Sequence, residues 1–190
     1  MKIQFLIFYS LIIVACSNVL PPPHTIDQAC SIIQDRPSWK QSLQQAHHTW
    51  QTPIELILTI IRHESSFRAQ ARPPMRYALG FIPLGRRSTA YGYAQVLDRT
   101  WQWYQEKTGH THHVRDQFEH AVQFVAWYTH RTYQKYRVPF RRYDLHYLAY
   151  HEGHGGFRRK TYKHKNKLLK YAKKVAKTAK NFRQQLQYCP

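Results

Sequence analysis

The chain is short of negative charge. Ten Asp and Glu stand against 29 Lys and Arg in its 190 residues, which leaves a formal charge of +19 and a pI near 10.1. That balance points to a polyanionic partner: nucleic acid, an anionic membrane surface or a wall polymer. Few segments read as strand, and no internal repeat is present, which excludes a solenoid. The apolar run at residues 5–15 is too short to span a bilayer. Cysteine is scarce, at three residues. What is abundant is apolar and aromatic: 43% hydrophobic residues and 15% aromatics describe a globular chain, long enough for one domain with tails.

The N-terminus narrows the choice of partner. Met1-Lys2 is a minimal positive start, and the run that follows ends Leu11-Ile12-Ile13-Val14-Ala15-Cys16. This resembles a bacterial lipobox, with residues 1–15 as signal peptide and Cys16 as the lipidated end of the mature chain. Ser17 stands where Asp would signal inner-membrane retention. The expected location is therefore the outer membrane of a Gram-negative bacterium, facing the periplasm. Residues 16–29, with Pro21-Pro22-Pro23, read as a stiff linker. Export leaves nucleic acid aside as a partner. Cys30 and Cys189 then form an even pair in an oxidising compartment, which suggests a disulfide. Its long loop would stabilise the fold by about 3–5 kcal/mol on the chain-entropy model.

From residue 30 to 189 the pattern is a helical domain. Helices are expected over 38–51, from Thr52-Pro53-Ile54-Glu55 (a capping box) onward, over 98–107 with Asp98 as N-cap, over 116–136, over 143–150 with a stop at Gly153, and over 165–187. The second of these is apolar on most sides and belongs in the domain centre. Residues 69–90, with Pro73-Pro74, Gly80, Pro83 and Gly85, read as a long loop carrying a short hairpin. The last helix has a packed stripe, Leu168, Ala172, Val175, Ala179, Phe182 and Leu186, under a dense lysine cover at about 163–187. That cover suits an anionic wall polymer or lipid headgroups.

One carboxylate stands apart. Glu64 closes an apolar helix, beside Ile60, Ile61 and Phe67, where ionisation is costly and the pKa should rise. A carboxyl group that stays protonated near neutral pH is what a general acid requires. Arg68 is the one neighbour that could reverse the shift.

Three segments carry a resemblance. Ile60-Ile61-Arg62-His63-Glu64-Ser65-Ser66-Phe67 resembles the Glu-Ser segment of the lysozyme-like lytic transglycosylases of the soluble-lytic-transglycosylase type. Tyr91-Gly92-Tyr93-Ala94-Gln95 is similar to their Gly-Leu-Met-Gln stretch, with Gly92 and Gln95 in register. Ala149-Tyr150-His151-Glu152-Gly153 is similar to Ala-Tyr-Asn-Ala-Gly, with His151 and Glu152 as departures. The resemblance implies a mainly α, lysozyme-like α+β fold: a compact helical domain with a catalytic cleft and a loop or hairpin insertion. It implies cleavage of the MurNAc-β-1,4-GlcNAc bond of peptidoglycan glycan strands, leaving 1,6-anhydro-MurNAc ends. Glu64 would act as acid and then as base, with the substrate's acetamido group in place of a second carboxylate. It implies that Ser65 positions the carboxyl or the substrate, that Tyr150 orients Glu64, and that Gln95 binds sugar. Tyr91, Tyr93 and Tyr147 are candidate stacking surfaces, and His151 and Glu152 candidate substrate contacts. No cofactor is expected.

Two alternatives stay open. Glu152 could be a second carboxylate and divert the reaction to hydrolysis, as in a muramidase, unless it pairs with Arg158, Arg159 or a nearby His. The chain could also be a non-catalytic basic wall-binding lipoprotein. His110-Thr111-His112-His113 lacks an accompanying Cys or carboxylate at ligand spacing, so no metal is expected there. A monomer is expected.

Overall fold

The computed structural model describes residues 20–189. The expected signal segment and the lipidation site Cys16 lie outside the described residues. Within them the chain runs α1 (Ala29–Gln34), α2 (Pro37–Trp50), α3 (Ile54–Ser65), β1 (Met75–Ala78), β2 (Ile82–Arg86), α4 (Asp98–Thr108), α5 (Phe118–Tyr136), α6 (Tyr143–Arg159) and α7 (Asn166–Gln187). The two strands form one antiparallel hairpin, and everything else is helical or loop. This is the mainly α architecture that the sequence leads one to expect.

Helix α3 is the axis of the domain. Leu56, Ile57, Leu58, Ile60 and Ile61 are fully buried. They meet α2 and α5 on one side and α7 on the other. A helix apolar around most of its circumference can satisfy that pattern only at the centre. Two buried clusters result. The larger gathers α2, α3 and α5 around Trp39, Phe67, Tyr104 and Phe124. The smaller lies between α6 and α7 around Tyr147, Phe157, Leu168 and Val175.

Local signals give way to tertiary partners at several helix ends. The capping box before α3 does not form. Thr52 is buried and its hydroxyl donates to the Ala126 carbonyl at 2.9 Å, while Glu55 accepts from the Tyr143 hydroxyl at 2.8 Å. Asp98 is not an N-cap either. It sits in the first turn of α4 and pairs with Arg115 at 2.7 Å, and its backbone N–H is met by the Thr89 hydroxyl. Helix α6 runs on beyond the expected stop, but Gly153 breaks it with φ +68° and ψ 161°. Tyr128 spans that break, its hydroxyl accepting from His154 N–H and donating to the Ala149 carbonyl.

Cys30 and Cys189 are joined as a disulfide, tying α1 to the end of α7 across 159 residues of sequence. From Leu20 the expected linker lies along the domain. Pro21 accepts from Arg36 at 2.8 Å, Pro23 is buried, and Asp27 pairs with Arg62 at 2.6 Å. Among the described residues no helix is long and apolar enough to cross a membrane.

Candidate active site

The last turn of α3 opens on a cleft of about 420 Å³. Its walls bring together Glu64, Gln95 and Tyr150-His151-Glu152 with Phe124 and Tyr128 of α5 and Thr100 of α4. The segments that resemble the transglycosylase motifs are thus gathered from three separate stretches of chain onto one cavity.

Glu64 is desolvated there, and its pKa is pushed up to about 8 from an ordinary 4.5. The Tyr147 hydroxyl, from α6, hydrogen-bonds the carboxyl and pulls weakly the other way. Arg68 does not reverse the shift: its guanidinium turns back to donate to the Ser65 carbonyl at 2.9 Å. Burial and the Glu64 charge push the pKa values of Tyr147, Tyr150 and Tyr171 up, so all three keep neutral hydroxyls around the carboxyl.

The helix end that carries Glu64 is held from two sides. His63 bridges to α7, one ring nitrogen at 3.1 Å from the Tyr171 hydroxyl and the other at 3.0 Å from the Thr178 hydroxyl. Burial and the adjacent Arg62 push its pKa down to about 4, so the bridge is neutral. Beyond Glu64 the chain turns through Ser66 (φ +52°) and Phe67 (φ +60°). A fully buried Phe in the left-handed region is a strained position. It is held by stacking on Trp39 at 5.9 Å between centroids.

Opposite Glu64 lies the turn of residues 91–96. Gly92 has φ +81°, and a Cβ there would come within 2.0 Å of the Arg115 carbonyl oxygen, so only glycine fits. The turn places Gln95 on the cleft, but its amide nitrogen is engaged internally: Nε2 donates to the Ala71 carbonyl at 2.8 Å and the Gly92 carbonyl at 2.9 Å. Gln95 therefore staples the turn, and its carbonyl oxygen is the end left for a sugar hydroxyl.

The other expected site residues sort differently. Tyr150 is on the cleft, but its hydroxyl donates to the Ala94 carbonyl at 2.7 Å and not to Glu64. Tyr147, expected to stack on sugar, occupies the orienting place instead. Ser65 is buried and its hydroxyl bonds back to the Ile61 carbonyl at 3.2 Å, out of reach of substrate. Tyr93 is also buried, edge-on to Trp39 and Phe118 in the core, and is not a cleft surface. Tyr91 is clamped between Arg72 and Arg115 and donates to Asp116 at 2.8 Å, away from the cleft lining. Phe124, Tyr128 and Thr100 also line the cleft, while the sequence pattern gives only their place in helices; an apolar stripe reads the same whether it faces core or cavity.

Glu152 is paired, with His151 as one expected partner but with Lys165 in place of Arg158 or Arg159 as its cation. Lys165 donates to both of its oxygens, at 2.7 and 2.8 Å, and Thr161 and His151 add hydrogen bonds. Desolvation alone would raise its pKa, but these partners outweigh it and pull the carboxyl down to about 2. The cleft therefore pairs one carboxyl held protonated with one held ionised and neutralised.

The His110–His113 loop gains a partner that spacing could not supply. The ring of His120, from α5, stacks on His113 at 4.1 Å, and His112, His113 and His120 offer ligand atoms within 4.8 Å of one another. Two of these rings are already engaged. The His113 Nδ1 meets the Tyr104 hydroxyl and the His120 Nδ1 accepts from Val114 N–H. Each of these two rings keeps its Nε2 open, so the three histidines form a cluster that spacing within residues 110–113 does not reveal.

A family model described as a transglycosylase SLT domain matches residues 4–189 of the chain. No curated protein and no solved structure matches the chain significantly.

Proposed function

The chain belongs to the transglycosylase SLT domain family, and on that premise we propose that it is a lytic transglycosylase that cuts the MurNAc-β-1,4-GlcNAc bond of peptidoglycan and leaves 1,6-anhydro-MurNAc ends. The observation that carries the reading is Glu64, a carboxyl on the cleft whose pKa is raised to about 8 with no free second carboxylate in the lining. Protonated at neutral pH, Glu64 gives its proton to the glycosidic oxygen as the bond to the anomeric carbon breaks. The substrate's own acetamido oxygen shields the developing positive charge. Glu64, now a carboxylate in a desolvated site, is a strong enough base to take the proton of the sugar's 6-hydroxyl. That oxygen closes on the anomeric carbon, and the carboxyl is reprotonated without entry of water.

The hydrolytic alternative needs a second carboxylate free to act. Lys165, Thr161 and His151 occupy the Glu152 oxygens, which weighs against it. The wall-binding alternative gives no reason to desolvate Glu64 beside a cavity. Export through the leader, lipidation at Cys16 and an outer-membrane location belong to the same proposal. They rest on residues 1–17 as sequence. The basic α7, with Lys167, Lys170, Lys173, Lys174, Lys177 and Lys180, supports attraction to the anionic wall.

The test is digestion of purified sacculi with mass spectrometry of the soluble products. Anhydro-muramyl products that vanish with Glu64→Gln support the proposal. Anhydro products from a folded Glu64→Gln protein, or no products from the wild type, would sink it.

A further inference from the structure

The hairpin of β1 and β2 is the most apolar exposed surface among the described residues. Met75, Tyr77, Leu79, Phe81, Ile82 and Leu84 are all solvent-exposed, Leu79 at 83% and Phe81 at 72%. No helix packs closely against either strand. The register sets Tyr77 opposite Pro83 and Ala78 opposite Ile82. Successive cross-strand pairs face opposite ways, so both faces of the ribbon are apolar near its tip. A bare two-stranded ribbon gains little from its own packing in water. The turn itself offers no local reason for its side chains. Leu79 at φ +50° and Gly80 at φ +81° occupy the two left-handed positions of a tight hairpin turn. Asn-Gly or Asp-Gly is favoured there, and a leucine is held at conformational cost.

Around this apolar tip the charge has one sign. No Asp or Glu occurs between Glu64 and Asp98, while Arg72, Arg76, Arg86 and Arg87 are exposed at the base of the ribbon. Leu20, Pro21 and Pro22 share a surface hollow with Arg72 and Arg86 at the hairpin base.

We infer that the hairpin is a membrane-contact element that inserts its tip into the interface of an anionic lipid bilayer. The arginines meet headgroup phosphates while Leu79, Phe81 and Ile82 reach the acyl boundary. A bilayer interface covers both faces of a ribbon at once, which a protein groove on one face does not. Insertion stays shallow, because the outer edges of a two-stranded ribbon carry unpaired backbone groups that hydrocarbon would not satisfy. Pro83, lacking an N–H, removes one of them. The inference does not rest on the proposed reaction. It would hold the cleft, whose rim includes Ser88 and Ala90 just beyond the hairpin, close to a membrane surface.

The experiment is hydrogen–deuterium exchange of the full chain with vesicles of phosphatidylethanolamine and phosphatidylglycerol, reading peptides over residues 75–86. A local readout separates the hairpin from any anchoring by residues 1–19. The expected result is exchange slowed about tenfold over 75–86, weaker on phosphatidylcholine alone, and lost in Leu79→Ser/Phe81→Ser with the helices unchanged. Arg76→Glu/Arg87→Glu should remove the preference for phosphatidylglycerol. Unchanged exchange over 75–86 in the vesicle-bound chain overturns the inference. So does protection that appears without lipid, either on raising protein concentration or on adding soluble glycan strands. Digestion of soluble glycan by Leu79→Ser/Phe81→Ser should match the wild type; its loss would assign the hairpin to the cleft and overturn the inference in its turn.

Discussion

The Tyr150 hydroxyl donates to the Ala94 carbonyl at 2.7 Å, locking helix α6 to the glycine turn that faces Glu64. That bond commits Tyr150 to holding the two walls of the cleft together. It leaves Tyr147, one turn earlier, as the hydroxyl that bonds the Glu64 carboxyl. Orientation of the acid and spacing of the cleft are therefore divided between two tyrosines of the same helix.

Tyr147→Phe should separate these roles. Losing a donor that favours the ionised form raises the Glu64 pKa further, so the alkaline limb of kcat/KM, expected near pH 8 in the wild type, should move to higher pH. The maximal rate should fall about tenfold as the carboxyl loses its alignment. Tyr150→Phe should lower stability and rate without moving that limb. A pH–rate profile of both variants checks this.

Glu152→Gln should leave the product unchanged. An ion-paired carboxylate with a pKa near 2 already carries its charge at every working pH, so removing the charge frees Lys165 but takes no base from the reaction. Anhydro ends should persist, at a rate within about tenfold of wild type. Reducing ends in the wild type that disappear in Glu152→Gln would bring the hydrolytic reading forward.

Gly92→Ala should be among the most damaging small substitutions. The added methyl meets the Arg115 carbonyl oxygen at 2.0 Å, in a backbone conformation that alanine resists. A loss of about 2–4 kcal/mol in unfolding free energy is expected, together with loss of activity as Gln95 leaves its register. Denaturant unfolding and glycan digestion measure the two effects.

Stability should depend on pH in two opposite ways. His113, His146 and His154 have pKa values pushed down to about 3, 4 and 4 by burial, and His63 behaves likewise. The unfolded chain binds these protons first, so their contribution is complete above about pH 6.5 and is lost as pH falls toward 4. For the fully buried His146 alone this is about 2 kcal/mol near pH 5. Glu64 has the other sign. Its folded pKa is raised, so its unfolded form ionises first, and stability attributable to it falls as pH rises from about 4.5 to 8. Glu64→Gln should therefore stabilise the protein by about 1–3 kcal/mol at pH 7–8 and by little at pH 4. Thermal melts of both proteins across pH test the crossover.

What could be read from the chain was what local pattern decides. The apolar circumference of α3, the glycine at Gly92 and the order of the three motifs located the domain centre and most of the cleft. What could not be read was which partner each polar group would find. Tyr147 and Tyr150 differ by about 60° around α6, enough to send one hydroxyl to Glu64 and the other to Ala94; the spacing sets that angle, but not which of the two sides faces the acid. Ser65, next to the acid, looked available but on a helix its hydroxyl reaches the carbonyl four residues back. Thr52 had a capping partner three residues away and took a buried carbonyl on α5 instead. Lys165, which neutralises Glu152, and His120, which joins the histidine loop, are brought in only by the packing of other helices.

The central claim is that Glu64 protonates the bond and then draws the sugar's own hydroxyl, so no water enters. Digestion of sacculi in water enriched in oxygen-18, with mass spectrometry of the released muropeptides, tests it most directly. The account predicts anhydro-muramyl ends free of the heavy isotope, absent altogether with Glu64→Gln. Heavy oxygen at the anomeric carbon of the released ends would contradict it.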